Sequence, residues 1–209
     1  IKDMVEFEFD GYVMINGQYC ILNDEVVHEM KIPTESIEKL IPYLDEKKIS
    51  CEFVELDYMY INHINDRVKE LREYLGATAP ESPIESMERI YKNDIFQLCA
   101  YIKEEEEEEF LENLPKCRAV RWNPVFADII PERGGKDVGI GKILKHLGIK
   151  REECMAFGDG GNDISMLKYV GLGVAMGNAG EDVKAVADYV TEDVDNSGIK
   201  LALEKYNIL

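Results

Sequence analysis

The sequence predicts an α/β protein, a doubly wound parallel sheet with an α+β lobe inserted into it. Three observations carry this expectation. From about Asp128 onward, short apolar runs alternate with segments of helical period, the pattern of βα units and hence of a parallel sheet. Upstream, hairpin signals and amphipathic helices mix without that alternation. Within the alternating part, the apolar run Cys154–Phe157 leads into Gly158-Asp159-Gly160-Gly161-Asn162-Asp163 and then into a new helical segment. A strand, a tight loop and a helix start there would lie at the carboxyl edge of the sheet, where open α/β sheets bind ligands.

Taken in order, residues 5–22 alternate apolar and polar around Gly11, Asn16 and Gly17. Tyr12–Ile15 reads as a strand, Asn16-Gly17 as a turn and Tyr19–Leu22 as the returning strand. Val26–Ile32 gives another strand. Pro33-Thr34-Glu35-Ser36 opens a helix with apolar residues at Ile37, Leu40, Ile41 and Leu44. Strands are expected at Cys51–Leu56 and Tyr58–Ile64, then a helix marked by Val68, Leu71, Tyr74 and Leu75 and ended by Gly76. Ala77–Pro83 is a loop by composition. After a strand at Ile95–Ile102 come six consecutive glutamates, Glu104–Glu109, which read as the first turns of a helix, where negative charge suits the dipole. Arg118–Trp122 and Val125–Ile130 form a hairpin. The alternating part then predicts helices at Lys136–Leu147, Asn162–Tyr169, Glu181–Ala187 and Gly198–Tyr206, with strands at Cys154–Phe157, Gly173–Met176 and Tyr189–Val190.

Charge and cysteines narrow the function. The formal charge is −18, from 42 acidic and 24 basic residues. That argues against a nucleic-acid or anionic-membrane partner, and an anionic substrate would need a metal or a specific Lys or Arg. The five cysteines show no C-x-x-C pair, which fits a reduced, cytoplasmic setting. The three histidines form no ligand cluster, so zinc is not expected. No signal peptide or membrane-length apolar run is seen.

Chemistry concentrates around Asp159. Its glycines let backbone approach an anion or metal closely, and a helix start offers unpaired N–H groups to the same spot. Asp163 and Asn162 fall in the first turn, close to Asp159. Carboxylates beside such backbone suggest a Mg²⁺ site that also handles a phosphoryl group. The same residues also fit a helix cap with Asp159 in the turn, and spacing alone does not separate the two. Lys136, after Gly134-Gly135, is placed to reach a phosphate near Asp159, or is simply an exposed lysine. Asn178, after the next strand, contacts ligand or turns the chain. Gly139-Ile140-Gly141-Lys142 is not a P-loop, because Lys136 and Ile143 stand where Gly and Ser/Thr are required.

Gly-Asp-Gly-Gly-Asn-Asp with its following Met-Leu, then Gly-Val-Ala-Met-Gly-Asn-Ala and Ala-Asp-Tyr-Val-Thr, resembles the haloacid dehalogenase superfamily, in particular its Cof-type sugar-phosphate phosphatases. The spacing from Lys136 to Leu147-Gly148-Ile149 matches that family's lysine-bearing helix. Phe126-Ala127-Asp128-Ile129 resembles the return from its α+β cap, and Gly11–Tyr19 the strand leading into it. The resemblance covers essentially the whole chain. It implies an incomplete Rossmann-like core, residues 1–21 and 126–209, with an inserted cap domain at 22–125. It also implies Mg²⁺ on Asp159, support of the metal shell and catalytic loop by Asp163 and Asn162, and Lys136 holding nucleophile and phosphate. Asp159 and Asp163 are thus the metal candidates, Lys136 and Asp163 the catalytic ones, and Lys136, Asn162 and Gly160 the phosphate-binding ones.

In that family an N-terminal Asp attacks phosphorus to give an aspartyl-phosphate, and a second Asp two residues later acts as acid and base. Their motif, Asp-x-Asp-Gly-Thr, does not occur here. Phe7-Glu8-Phe9-Asp10-Gly11-Tyr12 mimics it, but Tyr12–Tyr19 fits the later cap-leading strand better. The expectation is therefore an N-terminally truncated form of a Mg²⁺-dependent phosphatase of small phosphorylated metabolites, inactive by itself. The alternatives are a non-catalytic phospho-ligand binder or regulator, and a phosphotransferase on the same core. Tyr58, Tyr60, His63, Arg121 and Trp122 are candidate specificity residues in the cap, or else core and surface.

Overall fold

A computed structural model describes residues 9–76 and 81–209 of the chain. Phe7, Glu8 and residues 77–80 of the expected loop lie outside the described residues. By contacts the chain divides into two compact units, Ile1–Glu29 with Gly134–Leu209, and Met30–Arg133.

The first unit begins with an antiparallel meander, β1 (Gly11–Met14), β2 (Tyr19–Leu22) and β3 (Glu25–Glu29). β1 ends one residue earlier than the alternation predicts. Ile15 has left the strand at φ 50, followed by Asn16 at φ 50 and Gly17 at φ 87. The N–H of Gln18 closes this turn on the Ile15 carbonyl at 3.0 Å.

The second unit opens with α1 (Thr34–Lys47), whose Ile37, Leu40 and Leu44 form the buried stripe that helical spacing predicts. It ends where Lys48 turns left-handed. Next come β4 (Cys51–Val54), β5 (Met59–Ile61) and α2 (Asp66–Leu75), the last capped by Asn65, whose Oδ1 accepts the Val68 N–H at 3.2 Å. β6 (Gln97–Ala100) leads to the glutamate run. That run forms a 3₁₀ turn over Glu104–Glu106 and the start of α3 (Glu107–Glu112). Three of its side chains are paired, Glu106, Glu107 and Glu109 with Arg67, Arg121 and Lys47 respectively. β7 (Cys117–Asn123) and β8 (Phe126–Pro131) complete a sheet ordered β5-β4-β6-β8-β7 among the described residues.

Strand alternation gives this sheet two different faces. On one face Phe53, Leu98, Ala127 and Ile129 join Ile37, Leu40, Leu44 and Phe110 in the main core. On the other, Glu52 stands opposite Cys99 and Cys99 opposite Asp128, and all three find partners. Ser82 Oγ donates to Glu52 Oε1 at 2.7 Å, Cys99 Sγ to Asp128 Oδ1 at 3.3 Å, and the Trp122 indole N–H to Asp128 Oδ2 at 3.3 Å. Both boundaries between the units fall later than the expected 21/22 and 125/126, the first at Glu29/Met30, because β3 pairs with β2, and the second at Arg133/Gly134, because of β8. It is buried throughout and hydrogen-bonds to β6 and β7, so it belongs with the antiparallel sheet.

The first unit resumes with α4 (Lys136–Leu147), β9 (Met155–Gly158), α5 (Ile164–Tyr169), β10 (Leu172–Ala175), α6 (Glu181–Lys184), β11 (Tyr189–Val190) and α7 (Gly198–Lys205). Its strands pair in parallel in the order β11-β10-β9, as the βα alternation predicts. α4 packs on the meander and on α5. This is a Rossmann-like α/β arrangement of strand, loop and helix, with the antiparallel α+β unit inserted in sequence. The cysteines are free. Among the described residues no helix is long and apolar enough to cross a membrane.

Candidate active site

β9 delivers the chain to Gly158, and a 3₁₀ turn over Gly161–Asp163 precedes α5. Asp163, 7 % exposed, folds its side chain back under this turn. Its Oδ2 accepts the N–H groups of Asp159 and Gly160, both at 3.1 Å. The closure requires glycine at 158, since a Cβ there would sit 2.6 Å from the Cβ of Asp163. The other oxygen, Oδ1, accepts from Lys136 Nζ at 2.5 Å. Lys136 is the first residue of α4, so this ion pair joins two helix starts at the carboxyl edge of the parallel sheet. Charge-assisted bonds of this kind hold a loop more firmly than neutral ones.

Asp159 is placed differently. It is exposed, and its Oδ2 accepts from Asn178 Nδ2 at 3.0 Å. Asn178 is fixed in turn by the Val194 N–H, which donates to its Oδ1 at 3.3 Å. Asp159 Oδ1 accepts no hydrogen bond among the described residues. Asn162 donates from Nδ2 to Asn16 Oδ1 at 3.2 Å. The structure therefore brings together Asp159, Asn162, Asp163 and Lys136, with Gly160 contributing its N–H to Asp163. Two further side chains hold them, Asn16 and Asn178. In the sequence Asn16 reads as a hairpin residue, and its partner lies 146 positions away, so no local pattern signals the contact.

As a metal site the arrangement offers one outward carboxylate oxygen on Asp159, while both oxygens of Asp163 are engaged by Lys136 and backbone. Among the described residues no group of three or more His, Cys, Asp or Glu side chains is placed to hold a metal ion. A hard, anionic oxygen with an open lone pair suits Mg²⁺, which commonly takes one or two carboxylates and completes its shell with water and phosphate. The donor set thus fits Mg²⁺ on Asp159.

The candidate specificity residues of the second unit are mostly structural. Tyr60 is fully buried and stacked on Phe53, ring centroids 5.2 Å apart. Arg121 pairs with Glu107 and donates to the carbonyls of Ile102, Asn123, Pro124 and Phe126. His63 Nε2 lies 3.3 Å from the Lys48 carbonyl. Tyr58 donates to Glu85 Oε1 at 3.0 Å and lies under the Arg89 guanidinium, 4.2 Å from its ring centroid. Trp122 keeps half its surface exposed.

A parallel sheet whose carboxyl edge carries a backbone-clasped aspartate, an outward aspartate and a lysine defines a class, and comparison with known proteins gives it a family. The chain belongs to the haloacid dehalogenase-like hydrolases, whose family model matches residues 1–203. It is 34 % identical to YkrA of Bacillus subtilis (strain 168) over 205 residues, 98 % of this chain and 78 % of that protein. Among solved structures it resembles BT4131, described as a HAD subclass IIB sugar phosphatase, with TM-score 0.86 and 42 % identity over 96 % of this chain and 76 % of that one. BT1666 from Bacteroides thetaiotaomicron, described among the phosphatases of the superfamily, gives TM-score 0.88 and 34 % identity over 96 % and 75 %.

Proposed function

We propose that this chain carries the metal and phosphate half of a Mg²⁺-dependent phosphatase of small phosphorylated metabolites such as sugar phosphates. The observation that carries the proposal is the division of labour between two aspartates four residues apart. Asp163 is locked inward by Lys136 and two backbone N–H groups, while Asp159 presents an oxygen outward. A purely structural helix cap would account for Asp163 but not for a second carboxylate held outward by its own asparagine. The phosphatase activity of BT4131 and BT1666, as they are described, supports the same reading.

In this account Asp159 is the direct metal ligand, and Asp163 shapes the loop and belongs to the metal's wider shell. Mg²⁺, when bound, neutralises charge on the phosphoryl oxygens. Lys136, oriented by Asp163, adds positive charge at the same edge, where the phosphoryl group and an attacking carboxylate would meet. Asn162 and the Gly160 turn complete the phosphate side. The attacking aspartate, which forms the aspartyl-phosphate, is proposed to come from chain N-terminal to Ile1, since Asp-x-Asp-Gly-Thr is absent from the sequence. The second unit is proposed as the cap that selects substrate, and the setting as cytoplasmic.

The test is hydrolysis of para-nitrophenyl phosphate with Mg²⁺, by the 209-residue chain and by a form extended through the upstream coding sequence. The extended form is expected to turn over and the short chain to be inactive. Turnover by the purified short chain would refute the missing-nucleophile argument. An extended form that binds phosphate but never hydrolyses would favour the non-catalytic alternative. Transfer of the phosphoryl group to a sugar in place of water would favour the phosphotransferase.

A further inference from the structure

The turn Ile15–Gly17 does more than reverse the chain. An Asn-Gly pair suffices for a two-residue hairpin, both residues accepting positive φ, yet here Ile15 precedes them at φ 50. A β-branched residue in that region is an outlier, and such residues persist only where their surroundings over-determine them. The surroundings are the start of α4. A Cβ on Gly17 would sit 2.1 Å from the Gly135 carbonyl oxygen and 3.0 Å from the Lys136 Cα. Gln18, fully buried, fixes the turn from within by donating its amide to the Asn16 carbonyl at 3.2 Å. Held in this way against the residues that launch Lys136, the turn also offers Asn16 Oδ1 to the side chain of Asn162. One strained segment therefore touches both helix starts of the site.

We infer that Asn16 is a positioning residue of the catalytic site: it fixes the side-chain amide of Asn162, and the strained turn keeps Asn162 and Lys136 in register for a phosphorylated substrate. This rests on the phosphatase reading above. The strain at Ile15 then has a use, as strained backbone commonly does at sites that must be pre-organised.

Asn16→Gly is the direct test, because glycine keeps the positive φ and removes only the side chain. In the active form, kcat/KM for para-nitrophenyl phosphate is expected to fall about fivefold, the worth of one ordinary hydrogen bond. Calorimetric binding of inorganic phosphate in Mg²⁺ should weaken by a similar factor, with the thermal midpoint nearly unchanged. Asn162→Ala also lowers both, and the double variant should be no worse than Asn162→Ala alone, because Asn16 acts through Asn162. Losses that multiply in the double variant overturn the inference. So does native phosphate binding by Asn16→Gly, whether its thermal midpoint is unchanged or lowered, since the turn would then be merely structural. A native protein that binds no phosphate at all refutes the phosphatase reading itself. A native protein that binds while Asn16→Gly binds equally well refutes this inference alone.

Discussion

At the scale of single residues, the site depends on which lone pairs are spent inside the protein and which face out. Asp163 spends both its oxygens on Lys136 and on the loop, so its replacement should collapse the loop and release the lysine. Gly158→Ala would force the Asp163 side chain away, and it should lower activity as strongly as Asp163→Asn while leaving every functional group present. Activity assays on the two variants side by side check this. Asn178 is the corresponding brace for Asp159. Partners that orient a metal ligand from behind typically matter by 10- to 100-fold in metal affinity, so Asn178→Ala should weaken Mg²⁺ activation by about tenfold. A Mg²⁺ titration of rate reads this directly. Asn178 stood out in the sequence as a residue at the sheet's edge, but the bracing contact of neither asparagine was legible there. Asn16 and Asn178 sit in turns where asparagine is common for backbone reasons alone, and the contacts that distinguish them are made across 146 and 19 residues.

At the scale of elements, local patterns were legible wherever they were bounded by punctuation. α4 runs from Lys136 to Leu147 as expected, because Gly134-Gly135 precede it and Gly148, at φ 69, ends it. The stripe of α1 is equally local, and Leu40→Ala should cost about 2–5 kcal/mol in urea unfolding, given its complete burial. The sheet that β8 joins was not legible, since alternation identifies a strand but not its neighbours. Its pairing also builds the polar row Glu52–Cys99–Asp128, whose titration has a definite sign. Burial pushes the Glu52 carboxyl above the usual carboxylate range, opposed by its bond from Ser82 and by Arg72. Above the unfolded value and up to the folded one, the folded chain keeps a proton that the unfolded chain has released, so stability falls as pH rises through that window. Glu52→Gln removes this loss. Its thermal midpoint should match the native one at about pH 4 and exceed it towards neutrality. A constant difference at all pH values would assign the effect to packing instead.

At the scale of the whole molecule, charge decides what the site needs. The chain carries −18, and the lysine at the site is already paired with Asp163. A phosphate dianion approaching the loop would meet the outward carboxylate of Asp159 in a negative field. A divalent cation on Asp159 would reverse that local sign, which is why the proposed phosphatase calls for a metal where one with a basic pocket would not. The expectation of a metal comes from the sequence alone, because composition and the Gly-Asp-Gly-Gly-Asn-Asp loop are both read without three-dimensional contacts. The inward and outward roles of the two aspartates emerged only from the fold. The most direct measurement is the Mg²⁺ dependence of para-nitrophenyl phosphate hydrolysis by the active form and its Asp159→Asn variant. The account predicts Mg²⁺-dependent turnover abolished by chelation, and a fall of about 100-fold or more in Asp159→Asn. Hydrolysis that persists in chelator, or an Asp159→Asn variant with native Mg²⁺ activation, would contradict it.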